Sequence, residues 1–435
     1  MKVCVQGLWH LGSVTAACLA SLGHDVTGLD SDPETIEGLT QCEAPLLEPG
    51  LDDLIQAGMA NGKLKFSSSA RLALEGAEVL WVAFDTPVDD DDRADVAFVQ
   101  GQIQVALPFL ADGAVVMVSS QMPVGSIRKL EAFARLNLPG KNISFACSPE
   151  NLRLGKALEV FLNPDRIVVG VRDDRARQII ENLLSPITDK VEWMSVESAE
   201  MTKHAINAFL ATSITFANEI AAICELVGAD AKEVERGLKT EARIGPKAYV
   251  SPGGPFAGGT LARDIAFLEM ESRAHQLTTP LLSAVRPSND EHKNWARRKL
   301  QQQFSALSGI TVAIWGLTYK PGTDTLRRSL SLELCDWLLK QGAIIKVYDP
   351  AVKLLPEHWV GKVNHCEKAL EAVVGANVLV VGTEWPEFKQ VASGLSATAS
   401  PDLIVLDANR YLQAQVLQSG FHYAAVGTPP NVVNK

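Results

Sequence analysis

Apolar residues follow two different rhythms along this chain. From the N-terminus to about residue 195, short β-rich runs recur: VCVQG, DVTGLD, LKFSS, EVLWVAF, AVVMVSS, ISFACS, RIVVG and VEWMS. Stretches with apolar positions at helical spacing separate most of them, and this alternation predicts a mostly parallel sheet covered by helices on both faces. Near residue 196 the rhythm changes. SVESAEMTKHAINAFLATSITFANEIAAICELVGAD has no Gly or Pro until its end, which predicts one long helix. Helical segments continue to about 305, broken by the loop RIGPKAYVSPGGPFAGG. Strand–helix alternation then resumes through ITVAIWG, LSLELCDWLLKQGA, IIKVYDP, NVLVVGT and DLIVLDA. The predicted class is α/β, with two Rossmann-like doubly wound domains joined by a central helical domain containing one long helix. The expected bounds are 1–196, 197–304 and 305–435.

Composition narrows the function classes. With 435 residues, two or three domains are the natural division. A net charge of -11 argues against a nucleic-acid partner, although a local cluster of cations would suffice for a small anionic ligand. No apolar run approaches the ~20 residues needed to span a bilayer, so no membrane partner is expected. MKVCVQG fits a short strand better than a cleaved leader. The seven cysteines are scattered, with no C-x-x-C pair, as expected of reduced, mostly buried thiols in a cytoplasmic protein; no metal site is expected.

The opening stretch KVCVQGLWHLGSV reads as a strand turning into a helix through a glycine loop. Gly7 permits the tight turn and Gly12 the close packing of helix on sheet. Around Trp9, His10 and Leu11 the helix start offers backbone N–H groups and its positive dipole end to a pyrophosphate. Asp30, ending the next strand, stands where an acid on the adenosine ribose is expected, favouring NAD over NADP. Trp9 occupies the position of the middle glycine, so its ring must swing outward or displace the ligand.

Several later stretches occur in a telling order: SSQMPVGS, SPENLRLG, NPDRIVVG, AEMTKHAINAFLATSITFANEIA, GGPFAGGTLARD and GLTYKPGTDTLRRS. Together they resemble the UDP-glucose/GDP-mannose dehydrogenases, a family of nucleotide-sugar 6-dehydrogenases, over nearly the whole chain. The resemblance implies an N-terminal NAD domain, a helical centre that forms homodimers and a C-terminal domain gripping the nucleotide diphosphate. It implies oxidation of a sugar C6 alcohol to a carboxylate in two hydride transfers. Lys203 and Asn207, four residues apart on one helix face, are suited to stabilising an oxyanion at C6. Asp264 matches the family's active-site aspartate, and Glu150 a carboxylate near the sugar. Lys320, in YKPGTDTLRRS, corresponds to a diphosphate ligand and Arg327 to an arginine near the cofactor. Arg243 matches a substrate-binding arginine that the partner subunit supplies in the family. Phe256 and Gly258 belong to the substrate loop, and Thr86-Pro87 to the turn beside NAD.

The departures from the family pattern fall on the chemistry. In the family loop G-F-G-G-S-C-F-P-K-D the cysteine is the nucleophile of the second oxidation, and here Thr260 stands in its place. Leu154 replaces the second glutamate of P-E-F-L-R-E-G, which frees the acid from the thioester. A threonine hydroxyl is a far weaker nucleophile than a thiolate. These features point to an NAD-dependent oxidoreductase of a UDP-sugar, in preference to a GDP-sugar, that oxidises one hydroxyl once. A catalytically silent nucleotide-sugar binder is the alternative from another class. A third reading keeps the full oxidation with a different water-activating group.

Overall fold

The computed structural model describes residues 1–87, 89, 94–150, 152–257 and 259–429. The chain packs as two compact units, Met1–Ile206 and Asn207–Lys435. The first is built on eight strands: β1 (Lys2–Gln6), β2 (Asp25–Leu29), β3 (Leu64–Ser67), β4 (Val79–Val82), β5 (Val115–Val118), β6 (Ser144–Cys147), β7 (Ile167–Gly170) and β8 (Val191–Met194). Their spatial order is β3-β2-β1-β4-β5-β6-β7-β8. The first six run parallel in the doubly wound order. β7 then reverses direction, meeting β6 through the single antiparallel pair Cys147↔Gly170, and β8 follows it in parallel.

The strands are near-continuously apolar because both faces of this sheet are covered. The faces separate with period two. Val3, Val5, Val79, Trp81, Val115 and Met117 pack into one core. Cys4, Leu80, Val82, Val116 and Val118 pack into the other. Helix α1 (His10–Ser21) lies against the first face, buried from Leu11 to Ala20. Its run of Gly, Ser, Ala and Cys side chains suits close approach of a helix that is covered all round.

The second unit carries a six-stranded, all-parallel sheet. Its strands are β9 (Thr311–Trp315), β10 (Ile344–Tyr348), β11 (Val363–His365), β12 (Val378–Val381), β13 (Ile404–Leu406) and β14 (His422–Ala424). The order β11-β10-β9-β12-β13-β14 repeats the doubly wound arrangement, and the period-two division returns. Val312, Ile314, Val378 and Val380 face one core, and Ala313, Trp315, Leu379 and Val381 the other.

The long helix α2 (Val196–Val227) runs 32 residues without a break. An 18-residue window of it has mean hydropathy 1.4, enough by length and composition to cross a membrane. The helix nevertheless buries polar groups within the protein, including Glu200, His204, Asn207 and Asn218. In the second unit, helix α3 (Thr260–Ala274) packs Ala262 and Ile265 against Ala208, Ala211, Phe256 and Val285.

Candidate active site

In the first unit, the turn between β1 and α1 is sterically determined. Gly7 has φ +89°, and a Cβ there would lie 2.6 Å from the Phe84 ring. A Cβ on Gly12 would lie 1.7 Å from the Gly7 carbonyl oxygen, so neither position accepts a larger residue. The Leu8 N–H donates to Asp30 Oδ2 at 2.7 Å, and the Asp32 N–H to Asp30 Oδ1 at 3.0 Å. Trp9 is the N-cap residue of α1, with its side chain about half exposed. Leu11 N–H donates to Asp85 Oδ2 at 3.3 Å. Phe84, beside that aspartate, is buried against Gly7, and the Thr86 hydroxyl donates to the Gln121 carbonyl at 2.8 Å. Pro87 is exposed. These groups lie at the carboxyl ends of β1, β2, β4 and β5, the edge where doubly wound sheets bind ligands. They fit NAD: a cradle that excludes a Cβ, an acid after β2, and a helix amide already holding one carboxylate oxygen.

Glu48 was missed in the sequence, where it reads as a loop acid. Its carboxylate accepts from the Gly155 and Ala157 N–H groups at 2.7 and 2.8 Å and meets His10 Nε2 at 2.9 Å. One buried group thus anchors both the cofactor turn and the segment that follows Glu150. Glu150 in turn meets Lys203, whose Nζ donates to the Glu150 carbonyl at 2.6 Å and lies 3.5 Å from Oε1. Lys203 sits between two further residues that sequence reasoning passed over. Glu200 accepts the N–H groups of Gly125 and Ile127 at 2.6 and 3.0 Å, and His204 Nε2 meets the Met122 carbonyl at 3.0 Å. Burial pushes the Glu200 carboxyl above its usual range. Burial, reinforced by the Glu200 charge, also pushes the Cys147 thiol well above its usual value, which keeps it protonated and unsuited to attack.

In the second unit, Asn207 Nδ2 donates to Asp264 Oδ2, and Asp264 is fully buried. Thr260, one turn earlier on α3, is exposed. It opens onto a cleft of about 430 Å³ shared with Tyr319, Thr325, Arg327 and Arg328. Arg328, which the sequence did not single out, holds φ 62° and also lines a neighbouring cavity of about 190 Å³ with Lys293, Arg297 and Asn409. Lys320 Nζ stands 5.5 Å from the centre of the Tyr319 ring, at the cleft's margin. Phe256 turns its side chain into the apolar cluster instead, and Asn289 clamps its backbone with two hydrogen bonds of 2.9 Å. Arg243 is exposed, paired with Glu241 at 2.9 Å. Gly258 lies outside the described residues.

Comparison with known proteins agrees with this geometry. Residues 1–188 match the NAD binding domain of the UDP-glucose/GDP-mannose dehydrogenase family, 197–291 its central domain and 313–414 its UDP binding domain. The chain is 32% identical to the UDP-glucose 6-dehydrogenase of Pseudomonas aeruginosa, over 99% of this chain and 98% of the relative. It is 33% identical to that of Rhizobium meliloti, over 99% and 100%. A UDP-glucose dehydrogenase structure from Pyrobaculum islandicum superposes with a TM-score of 0.83 at 27% identity, covering 98% of this chain and 97% of that one. With two doubly wound sheets, a cofactor turn and a cationic cleft in the corresponding segments, the chain belongs to the UDP-glucose/GDP-mannose dehydrogenase family, as an NAD-dependent oxidoreductase acting on a CH–OH group of a nucleotide sugar.

Proposed function

We propose that this dehydrogenase acts on a UDP-sugar and oxidises one hydroxyl once, to a carbonyl. The observation that carries the reading is Thr260, a hydroxyl exposed at the head of α3 beside Arg327 and Arg328. A second oxidation proceeds through an adduct on a group that attacks a carbonyl and later leaves, and a threonine hydroxyl whose described cleft neighbours include no carboxylate or imidazole does neither readily. NAD supplies the hydride acceptor. The remaining chemistry belongs to the chain: on the first unit Lys203 offers a cation for a developing alkoxide, and on the second Asn207 and Asp264 offer a donor and a carboxylate. Arg327, Arg328 and Lys320 suit a diphosphate. The names of the Pseudomonas and Rhizobium relatives favour UDP over GDP.

A homodimer fits the same reading. Phe209, Phe216 and Ile223 recur every seven residues along α2, are exposed by 69%, 49% and 55%, and continue into Leu226 and Val227. Such a stripe supports pairing with a second copy. Seven free thiols support a cytoplasmic location.

The test is the number of NADH formed per sugar consumed across a panel of UDP-sugars, with hydroxylamine present to trap a carbonyl product. One NADH and a trapped oxime are expected. Thr260→Cys alone should add little, because Leu154 still leaves the thioester without a glutamate, and Thr260→Cys with Leu154→Glu should yield some carboxylate. Two NADH per sugar from the unmodified protein would overturn the proposal.

A further inference from the structure

We propose that Asp85 is a built-in competitor for the cofactor's pyrophosphate: its carboxylate holds the Leu11 amide at the head of α1 and must give way when a dinucleotide binds there. This rests on the assignment of residues 1–188 as an NAD-binding domain.

Four observations converge. First, α1 has no acidic residue in its own first turn. The acid on its Leu11 amide comes from 74 positions away in the chain. Second, the neighbours of Asp85 are fixed. Phe84 is buried against Gly7 and stacks edge-on with Phe98 at 5.7 Å, while Thr86 is buried and bonded to the Gln121 carbonyl. The turn therefore presents Asp85 to the helix by construction. Third, Asp85 itself is exposed, and its bond to the Leu11 amide is long at 3.3 Å. Fourth, Gly7 and Gly12 have no room for a Cβ, one meeting the Phe84 ring and the other the Gly7 carbonyl, so the turn that sets these amides in place is fixed. A helix N-terminus stabilises a carboxylate or a phosphate by the same amides and the same dipole end. A pyrophosphate arriving there meets a carboxylate of like sign already in place. The result is a site that keeps its NAD-binding form yet holds the dinucleotide weakly.

The test measures NAD, ADP-ribose and adenosine binding to the full-length protein by calorimetry, in the wild type, Asp85→Asn and Asp85→Ala. Apo melting temperatures are recorded alongside. Asp85→Asn keeps an acceptor oxygen and loses the charge. NAD and ADP-ribose are expected to bind roughly tenfold or more tightly to both variants, the scale of one charge-assisted hydrogen bond no longer contested. Adenosine, which has no phosphate, should change by less than about twofold on the same grounds. The apo variants should melt no higher than wild type, since the helix loses a cap. Tighter binding together with equal or lower stability is the signature, because a purely structural cap would lower the melting temperature and leave affinity unchanged or weaker. Unchanged or weaker NAD and ADP-ribose binding in both variants overturns the proposal. If no form, wild type included, binds NAD or ADP-ribose, the cofactor assignment fails and the proposal falls with it.

Discussion

Replacing Glu48 tests whether one buried carboxylate organises the cofactor end of this enzyme. Its side chain is 1% exposed and accepts the Gly155 and Ala157 amides at 2.7 and 2.8 Å while meeting His10 at 2.9 Å. Glu48→Ala removes all three partnerships and strands two backbone N–H groups away from water. Each orphaned group costs about 1–3 kcal/mol, so a loss of about 3–5 kcal/mol is expected for breaking the cluster. Glu48→Gln keeps one acceptor oxygen and should lose about 1–2 kcal/mol. Burial alone would push the Glu48 carboxyl up, but the hydrogen bonds from His10, Gly155 and Ala157 outweigh it and hold the group below the usual carboxylate range. A depressed folded value means the contribution is complete above the unfolded carboxylate pKa and is lost as pH falls through the folded one. The gap between wild type and Glu48→Gln should thus be flat near neutrality and close below about pH 4. Urea titrations followed by tryptophan fluorescence at pH 7 and pH 4 read the energies. Hydrogen exchange at Gly155 and Ala157 reads the local loss. NAD affinity should fall a few-fold in Glu48→Ala, because His10 opens α1. A loss below about 1 kcal/mol with unchanged exchange at both amides would refute the anchoring role.

Other outcomes are equally specific. At Glu235, burial raises the carboxyl but hydrogen bonds from Lys232, Lys239 and Ser251 prevail and bring it down to about 2. Glu235→Gln should cost about 2–3 kcal/mol at pH 7 by denaturant titration, discounted for the half-exposed lysines, and the difference should fade as pH falls from about 4.5 towards 2. UDP should raise the melting temperature of the wild type, and Lys320→Ala should remove most of that rise in a thermal-shift assay. Phe216→Asp should convert a dimer to monomers by light scattering, whereas an unchanged mass would remove α2's apolar stripe from the interface.

The doubly wound plan was legible because β1, β4, β5, β9 and β12 are short, β-branched and buried on both faces. β11 and β14 were not: each is three residues long, and Asn364, His365 and His422 are exposed. Their identity as strands comes from parallel pairing with β10 and β13, a partner-dependent fact that no local pattern carries. The glycine turn, Asp30, Thr260 and Asp264 were legible as motif positions. Glu48 was not legible as a site residue, and neither was the grip of Asp85 on the Leu11 amide, because these contacts span 107 residues in one case and 74 in the other. Phe256 shows the reverse, where a motif position proves to be a core side chain whose backbone is clamped by Asn289.

The reversal of strand direction after β6 has a consequence for how such enzymes diversify. A parallel connection would carry the chain back to the opposite edge of the sheet before the next strand begins. Because β7 runs against β6, the segment 148–166 leaves and re-enters at one edge, the edge that carries the cofactor turn. Its length can therefore change without shifting the register of a single strand, while Glu150 stays held by Lys203 and Ala157, Leu158 and Phe161 stay packed on the core. A graft has to meet several fastenings: the Cys147↔Gly170 pair, the Glu48 carboxylate gripping its middle, Lys203 on the Glu150 carbonyl and Ser119 on that of Ser148. The scaffold treats this stretch as an exchangeable cassette, and a donor loop that supplies amides equivalent to those of Gly155 and Ala157 should be accepted.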